Sequence, residues 1–274
     1  NGAGKSTLMS ILYGFYQADA GEIWVGGRKR DIRSTADAIA AGIGMVHQHF
    51  MLVDTFTVLE NVVLGVEGGA LLKQGLAKAR AELARLEREY RLDVDVDAVV
   101  GDLAVGIRQR VEILKALYRG AQVLILDEPT GVLTPAEADH LFRILRRLKE
   151  EGKTAILITH KLREVMAVTD NVTVMRRGQV VAQVRTAETS PAQLAEHMVG
   201  RKVQLTVTRT PAAPGREVLA VERLAVRDGQ GIARVHDVSL SLRAGEILGI
   251  AGVAGNGQSE LIEAIAGMRP VAAP

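Results

Sequence analysis

Short apolar runs recur along the chain at 43–46, 123–126, 154–158 and 171–175, and between them the apolar positions fall at helical spacing. A run with no polar alternation reads as a strand buried on both faces, whereas a 3.6-residue period marks an amphipathic helix. That period predicts helices over 5–15, 35–41, 58–64, 77–90, 107–118, 136–151 and 161–168. Strands alternating with helices predict an α/β fold with a largely parallel sheet. Local punctuation agrees. Thr57 followed by Glu60 forms a capping-box start, Ser190 before Pro191 opens another helix, and Gly200 closes it.

Residues 201–216 contain Thr-Pro-Ala-Ala-Pro-Gly and lose the helical period, so they read as a linker between residues 1–200 and 217–274, with the boundary near Pro214. A new β pattern follows at 218–226, 233–242 and 247–251. The chain also repeats itself. Asn1-Gly-Ala-Gly-Lys-Ser-Thr-Leu8 aligns with Ala254-Gly-Asn-Gly-Gln-Ser-Glu-Leu261 at an offset of 258 − 5 = 253. Each copy runs into an apolar helix that ends in glycine, at Gly14 and Gly267. A strand precedes the second copy and is missing before the first. The chain therefore reads as a window on a tandem protein: a first domain without its N-terminal strands, then the N-terminal part of a second.

Composition narrows the classes. Hydrophobic residues make up 47% of the chain and aromatics 3%, so a sizeable core must be built from Leu, Val, Ile and Ala. A net charge of +2, spread along the chain, gives no electrostatic footprint for nucleic acid. With no cysteine there is no disulfide, thiolate metal site or cysteine nucleophile. The longest apolar runs fall far short of the roughly 20 residues that span a bilayer, so membrane contact is expected only through a partner.

The candidate chemistry begins at the first residue. Asn1-Gly2-Ala3-Gly4-Lys5-Ser6-Thr7 is the C-terminal part of the phosphate-binding pattern G-x-x-x-x-G-K-[ST]. Its glycines let backbone N–H groups turn toward phosphate oxygens at a helix N-terminus. Lys5 would reach the β- and γ-phosphates and the Ser6 hydroxyl would ligate magnesium. An ordinary glycine-rich turn before a helix has the same composition. The second element, Val123-Leu-Ile-Leu-Asp127-Glu128-Pro129-Thr130, delivers two acids to the C-terminal end of an apolar strand, where open α/β sheets bind ligands. Asp127 would hold magnesium through water and Glu128 would polarise the attacking water as general base. A buried strand ended by a capping acid is the plainer reading.

Taken in order, these elements resemble the ABC ATPases, a P-loop NTPase family, across residues 1–160, and the similarity continues through the rest of the chain. Gln48 resembles the Q-loop glutamine that senses magnesium and nucleotide. Leu103-Ala104-Val105-Gly106-Ile107 resembles the nucleotide-contacting signature L-S-G-G-Q. Gly131–Thr134 stands in the D-loop position, and His160 looks like the switch histidine at the γ-phosphate. The resemblance implies an ABC ATPase fold with a helical subdomain, ATP and Mg2+ as ligands, and Glu128, His160 and Gln48 as catalytic residues, with Ser6, Gln48 and Asp127 serving the metal. Residues 217–274 then resemble the start of a second such domain, whose phosphate loop carries Gly252, Gly255, Gly257, Gln258 and Ser259.

Two departures matter. Ala104, Val105 and Ile107 replace the family's serine, first glycine and glutamine, and Gln258 stands where the second loop should have lysine. In ABC geometry one domain's signature faces the other's phosphate loop, so both defects would fall on one composite site, leaving Lys5, Glu128 and His160 to the competent one. The chain alone is expected to bind ATP weakly and to hydrolyse none.

Within the family, Gly44-Met-Val-His-Gln48-His-Phe-Met-Leu-Val53, Phe56-Thr-Val-Leu-Glu-Asn61 and Leu194-Ala-Glu-His-Met-Val-Gly-Arg201 look like tandem importers of the carbohydrate and nucleoside branch, nucleoside first and a simple sugar such as ribose or galactose second. The implied partners are two transmembrane permease subunits and a substrate-binding protein, at the cytoplasmic face of the plasma membrane. A tandem ABC ATPase acting on ribosomes is a further alternative. Such proteins carry a long charged helical linker, whereas residues 201–216 are short and contain proline.

Overall fold

The computed structural model describes residues 2–47, 50–65, 72–202, 213–229, 231–252 and 255–271. The chain gathers into two units, Asn1–Leu205 and Thr206–Pro274, each with its own core. The first unit runs α1 (Lys5–Leu12), β1 (Ile23–Val25), β2 (Arg28–Arg30), α2 (Thr35–Ala40), β3 (Ile43–Val46), α3 (Val58–Val63), α4 (Leu72–Tyr90), α5 (Val105–Tyr118), β4 (Val123–Asp127) and α6 (Pro135–Glu150). It continues through β5 (Thr154–Ile158), α7 (Leu162–Val168), β6 (Asn171–Arg176), β7 (Gln179–Arg185) and α8 (Pro191–Val199).

The apolar runs form the sheet. β3, β4 and β5 pair in parallel in that order, with Val46 opposite Leu126 and Asp127 opposite Ile158. Because all three strands run the same way, the residues that follow them meet along one edge: His47 after β3, Asp127 and Glu128 at β4, Thr159 and His160 after β5. This register brings together chemistry spread over more than a hundred residues of sequence.

The core explains the helices. On α6 the buried positions are Leu141, Phe142, Ile144, Leu145 and Leu148, of which Leu141, Ile144, Leu145 and Leu148 form one stripe at i, i+3, i+4 and i+7. It belongs to one core with Val111, Leu114 and Leu117 of α5, Val58 and Val62 of α3, Leu83 and Leu86 of α4, and Val46, Leu124 and Leu126 of the sheet. A smaller cluster, Val165, Val174 and Leu194, seats α7 and α8 on the β6–β7 hairpin. That hairpin turns through Arg177 and Gly178, both in the left-handed region, as a two-residue turn requires.

Boundaries shift in explicable ways. The helix expected to reach residue 15 ends at Leu12, because Gly14 turns left-handed at φ 81°. The helix expected from 107 begins at Val105, and the one expected from 77 begins at Leu72.

In the second unit β8 (Glu217–Arg227) pairs antiparallel with β9 (Ala233–Arg243), and α9 (Gln258–Ile265) lays Leu261 and Ala264 on Val226 and Val235. The strand expected at 247–251 is a correction: the described residues there have no regular structure, and Ile247 is 98% exposed. An apolar run becomes a strand only when a neighbour supplies a ladder, and among the described residues none pairs with this one.

Candidate active site

The helix starts separate into two kinds. Behind Ser34, Thr57, Thr134 and Ser190, a hydroxyl accepts from the first turn of α2, α3, α6 and α8, and the last three have full capping boxes. No side chain caps α1, α5, α7 or α9. Three of these open directly behind residues singled out above, Gly4, Ala104 and Gly257, and α7 opens behind Lys161, the residue after His160. An uncapped first turn leaves backbone N–H groups and the positive end of the helix dipole for an anion.

At α1, Gly2 and Gly4 hold φ of 80° and 87°, and the first turn contains no acidic residue. The loop is braced by the hairpin tip, where Gly178 N–H donates to the Ala3 carbonyl at 3.1 Å. Lys5, Ser6 and Thr7 form the first turn. Asn1 lies outside the described residues.

At the sheet edge, Asp127 is buried at the end of β4 and Glu128 follows at φ 47°, a left-handed conformation costly for a non-glycine residue. Its N–H donates to the Ile158 carbonyl at 2.9 Å, which swings the Glu128 carboxylate toward the next loop. There Oε1 lies 3.0 Å from Nδ1 of His160. Gln48 lies outside the described residues. Its neighbour His47 meets Tyr13 edge-on and Phe15 at a tilt, with ring centroids 5.8 and 5.4 Å away, and burial lowers its pKa.

The segment Leu103-Ala104-Val105-Gly106 leads into α5 with Ala104 as a cap that offers no hydroxyl. Gly106 is buried against the Glu137 carboxylate, and any side chain there would overlap it. That carboxylate is held low in pKa by the Thr134 N–H and hydroxyl, both at 2.8 Å. Further along α5, buried Gln109 donates to the Pro129 carbonyl at 2.6 Å, tying the signature helix to the Glu128 loop.

Sequence reasoning missed the roles of three charged residues. Glu112 is 3% exposed and accepts from Met51 N–H at 2.6 Å, while Lys115 donates to the Met51 carbonyl at 2.9 Å. Burial raises the Glu112 pKa and lowers that of Lys115. Together they grip the backbone of one residue, Met51, on both sides, in the segment after Gln48. Glu164, buried under the Glu128 and His160 loops, is the third. Only its place in α7, one turn after His160, offered a signal.

The second loop repeats the backbone without the charge. Gly255 and Gly257 hold φ of 89° and 90°, as Gly2 and Gly4 do, and α9 begins at Gln258 and Ser259. Gly252 lies against the Gln258 side-chain amide. Unlike α1, this first turn contains an acid, Glu260.

Among the described residues no three acids or histidines cluster as a metal cage. Magnesium does not need one, since one or two carboxylates with water and phosphate oxygens suffice. Asp127 and the Ser6 hydroxyl fit that donor set.

Residues 1–131 match the ABC transporter family. A glucose import ATP-binding protein of Haloferax volcanii is 50% identical, over 100% of this chain and 55% of the relative. A nucleoside import ATP-binding protein of Lactococcus lactis subsp. cremoris is 49% identical, over 99% of this chain and 54% of the relative. The chain thus spans about half the length of these curated relatives. A solved ATP-binding cassette of an ABC transporter, in its ADP conformation, superposes with a TM-score of 0.62 at 27% identity, over 73% of this chain and 85% of that one. Sequence match, fold and loop geometry agree, and the chain belongs to the ABC transporter family, with the P-loop fold of its ATP-binding cassettes.

Proposed function

We propose that the complete protein hydrolyses ATP to power uptake of nucleosides through a membrane permease. The observation that carries the enzymatic half is the Glu128 carboxylate, turned out of its strand by a left-handed backbone and set 3.0 Å from His160. In this reading the α1 loop, Asn1 through Thr7, cradles the phosphates, with Lys5 as the cation on the β- and γ-phosphates. Glu128 takes the proton of the attacking water, and His160 contacts the γ-phosphate while orienting that carboxylate. Gln48 senses nucleotide and metal. Ser6, Gln48 and Asp127 would hold Mg2+, which would supply positive charge to the phosphoryl oxygens.

The reading places the protein at the cytoplasmic membrane face, bound to two permease subunits that a substrate-binding protein supplies. Among the described residues no helix is long and apolar enough to cross a membrane. The segment after Gln48 exposes Met51 and Phe56 and is gripped by Glu112 and Lys115 on the signature helix. A cytoplasmic permease helix docking there would act directly on α5. This chain has no cysteine, so Phe56→Cys would be unique within it. It is expected to crosslink to a cysteine in a cytoplasmic permease loop of the assembled complex, and a complex giving no such product would exclude this docking site.

The nucleoside cargo rests on the Gly44–Val53 and Phe56–Asn61 resemblance and on the nucleoside relative. A sugar is the second reading, favoured by the Haloferax relative. Uptake of labelled uridine, ribose and glucose by cells carrying the complete gene with Glu128→Gln separates them. Loss of uridine uptake alone is the expected result. Loss of a sugar alone moves the protein to the sugar branch, and no loss of any removes the transport reading.

A further inference from the structure

Under the two loops that carry Glu128 and His160 lies a polar cluster that phosphate binding does not require. Glu164 stands in the first turn of α7 and is 6% exposed. Its Oε1 accepts from the Thr130 hydroxyl, and its Oε2 accepts from the Thr159 hydroxyl at 2.7 Å. Lys161 closes the ring. Its ammonium lies 3.4 Å from Glu164 Oε1 and donates to the Thr130 carbonyl and hydroxyl at 2.9 and 3.1 Å. The Lys161 N–H donates in turn to the Thr159 hydroxyl at 3.0 Å.

The placement in sequence gives the cluster its meaning. Thr130 lies two residues after Glu128, and Thr159 immediately precedes His160. One buried carboxylate therefore ties the two loops together from beneath, while Glu128 and His160 meet on the solvent side. A buried carboxylate is costly to desolvate, and an apolar side chain would fill the same space at less cost. The arrangement is explained if the loops need fixed geometry rather than simple packing. We propose that Glu164 is a positioning residue for hydrolysis: it holds the His160 loop against the Glu128 loop, so that His160 Nδ1 stays 3.0 Å from the Glu128 carboxylate. It touches no substrate and acts only through those two side chains. The inference rests on the reading of Glu128 as general base.

The test uses the complete protein assembled with its membrane partners. Outer-shell hydrogen-bond partners cost about 10–100-fold when removed, so Glu164→Ala should lower kcat by that range while KM for ATP changes less than about 3-fold. Glu164→Gln still pairs with both hydroxyls, since a threonine hydroxyl can accept as well as donate, and should keep kcat within about 5-fold of the parent. In a His160→Ala background, Glu164→Ala should cost less than about 3-fold more, because groups that act as a unit are non-additive. Should Glu164→Ala not fold, Thr130→Val and Thr159→Val each cut one tie and carry the same expectations. Unchanged kcat, parallel losses in kcat and KM, or losses that multiply fully with His160→Ala would overturn the positioning role. A parallel Glu128→Gln variant keeps the two ideas apart. If it remains active, the general-base reading falls. If it is inactive while the Glu164 losses multiply, only the positioning role falls.

Discussion

Replacing Glu128 by glutamine should lower ATP turnover of the complete protein by about 10²–10⁴-fold, the usual contribution of a positioned general base, and leave ATP affinity within a few-fold. The reasoning is steric as much as chemical. Glutamine keeps the length of the side chain and can still hydrogen-bond His160, so the left-handed turn at φ 47° and the loop it shapes need not move. What it cannot do is accept the proton of water. Nucleotide binding, which the proposed reading assigns to the α1 loop, should be untouched by the change. Equilibrium binding of ATP alongside single-turnover hydrolysis separates the two effects. A loss of less than about 10-fold in the hydrolysis step would remove Glu128 from the role of base, and equal losses in binding and turnover would show that the loop itself had collapsed.

Much of the fold was legible because its central elements are of the kind that sequence displays. The strand at 43–46, buried on both faces, reads as an unbroken apolar run, and both it and the edge strand at 154–158, buried only at its end, stand at the bounds expected. The Thr57 and Ser190 caps were visible for the same reason: their hydrogen bonds span three residues. Strands without such a signature were missed. β2 is Arg-Lys-Arg, wholly exposed, and is held by its hairpin with β1 rather than by burial. The run at 247–251 failed in the opposite direction, having the composition of a strand without a neighbour to pair with. The candidate motif residues could be named because the glycine loop, the strand-end acids and His160 each have a local pattern. The groups that fix them do not. Glu112 meets Met51 across 61 positions, Gln109 meets Pro129 across 20 and Thr130 meets Glu164 across 34. No periodicity connects such partners, and only the folded register does.

The two phosphate loops should respond oppositely to the same kind of change. Their backbones match: α1 and α9 both begin behind a left-handed glycine and both lack a side-chain cap. Their charges differ. At the offset of 253, Lys5 becomes Gln258 and Thr7 becomes Glu260, so the second loop has lost one positive charge and gained one negative, a difference of two. A carboxylate in the first turn already interacts favourably with the helix dipole and would repel a polyphosphate arriving at the same place. The first loop therefore should hold the catalytic nucleotide and the second should contribute little to turnover. In the complete protein, Lys5→Ala is expected to reduce ATPase by at least about 10²-fold, comparable to losing one preorganised charge-stabilising group, while Gln258→Ala changes it less than about 2-fold. Restoring the charge pattern with Gln258→Lys and Glu260→Thr together should raise nucleotide affinity at the second loop, read as added stoichiometry in equilibrium binding. Equal losses from Lys5→Ala and Gln258→Ala would mean that the loops work as equivalents. Backbone geometry, which they share, would then outweigh the charges in which they differ.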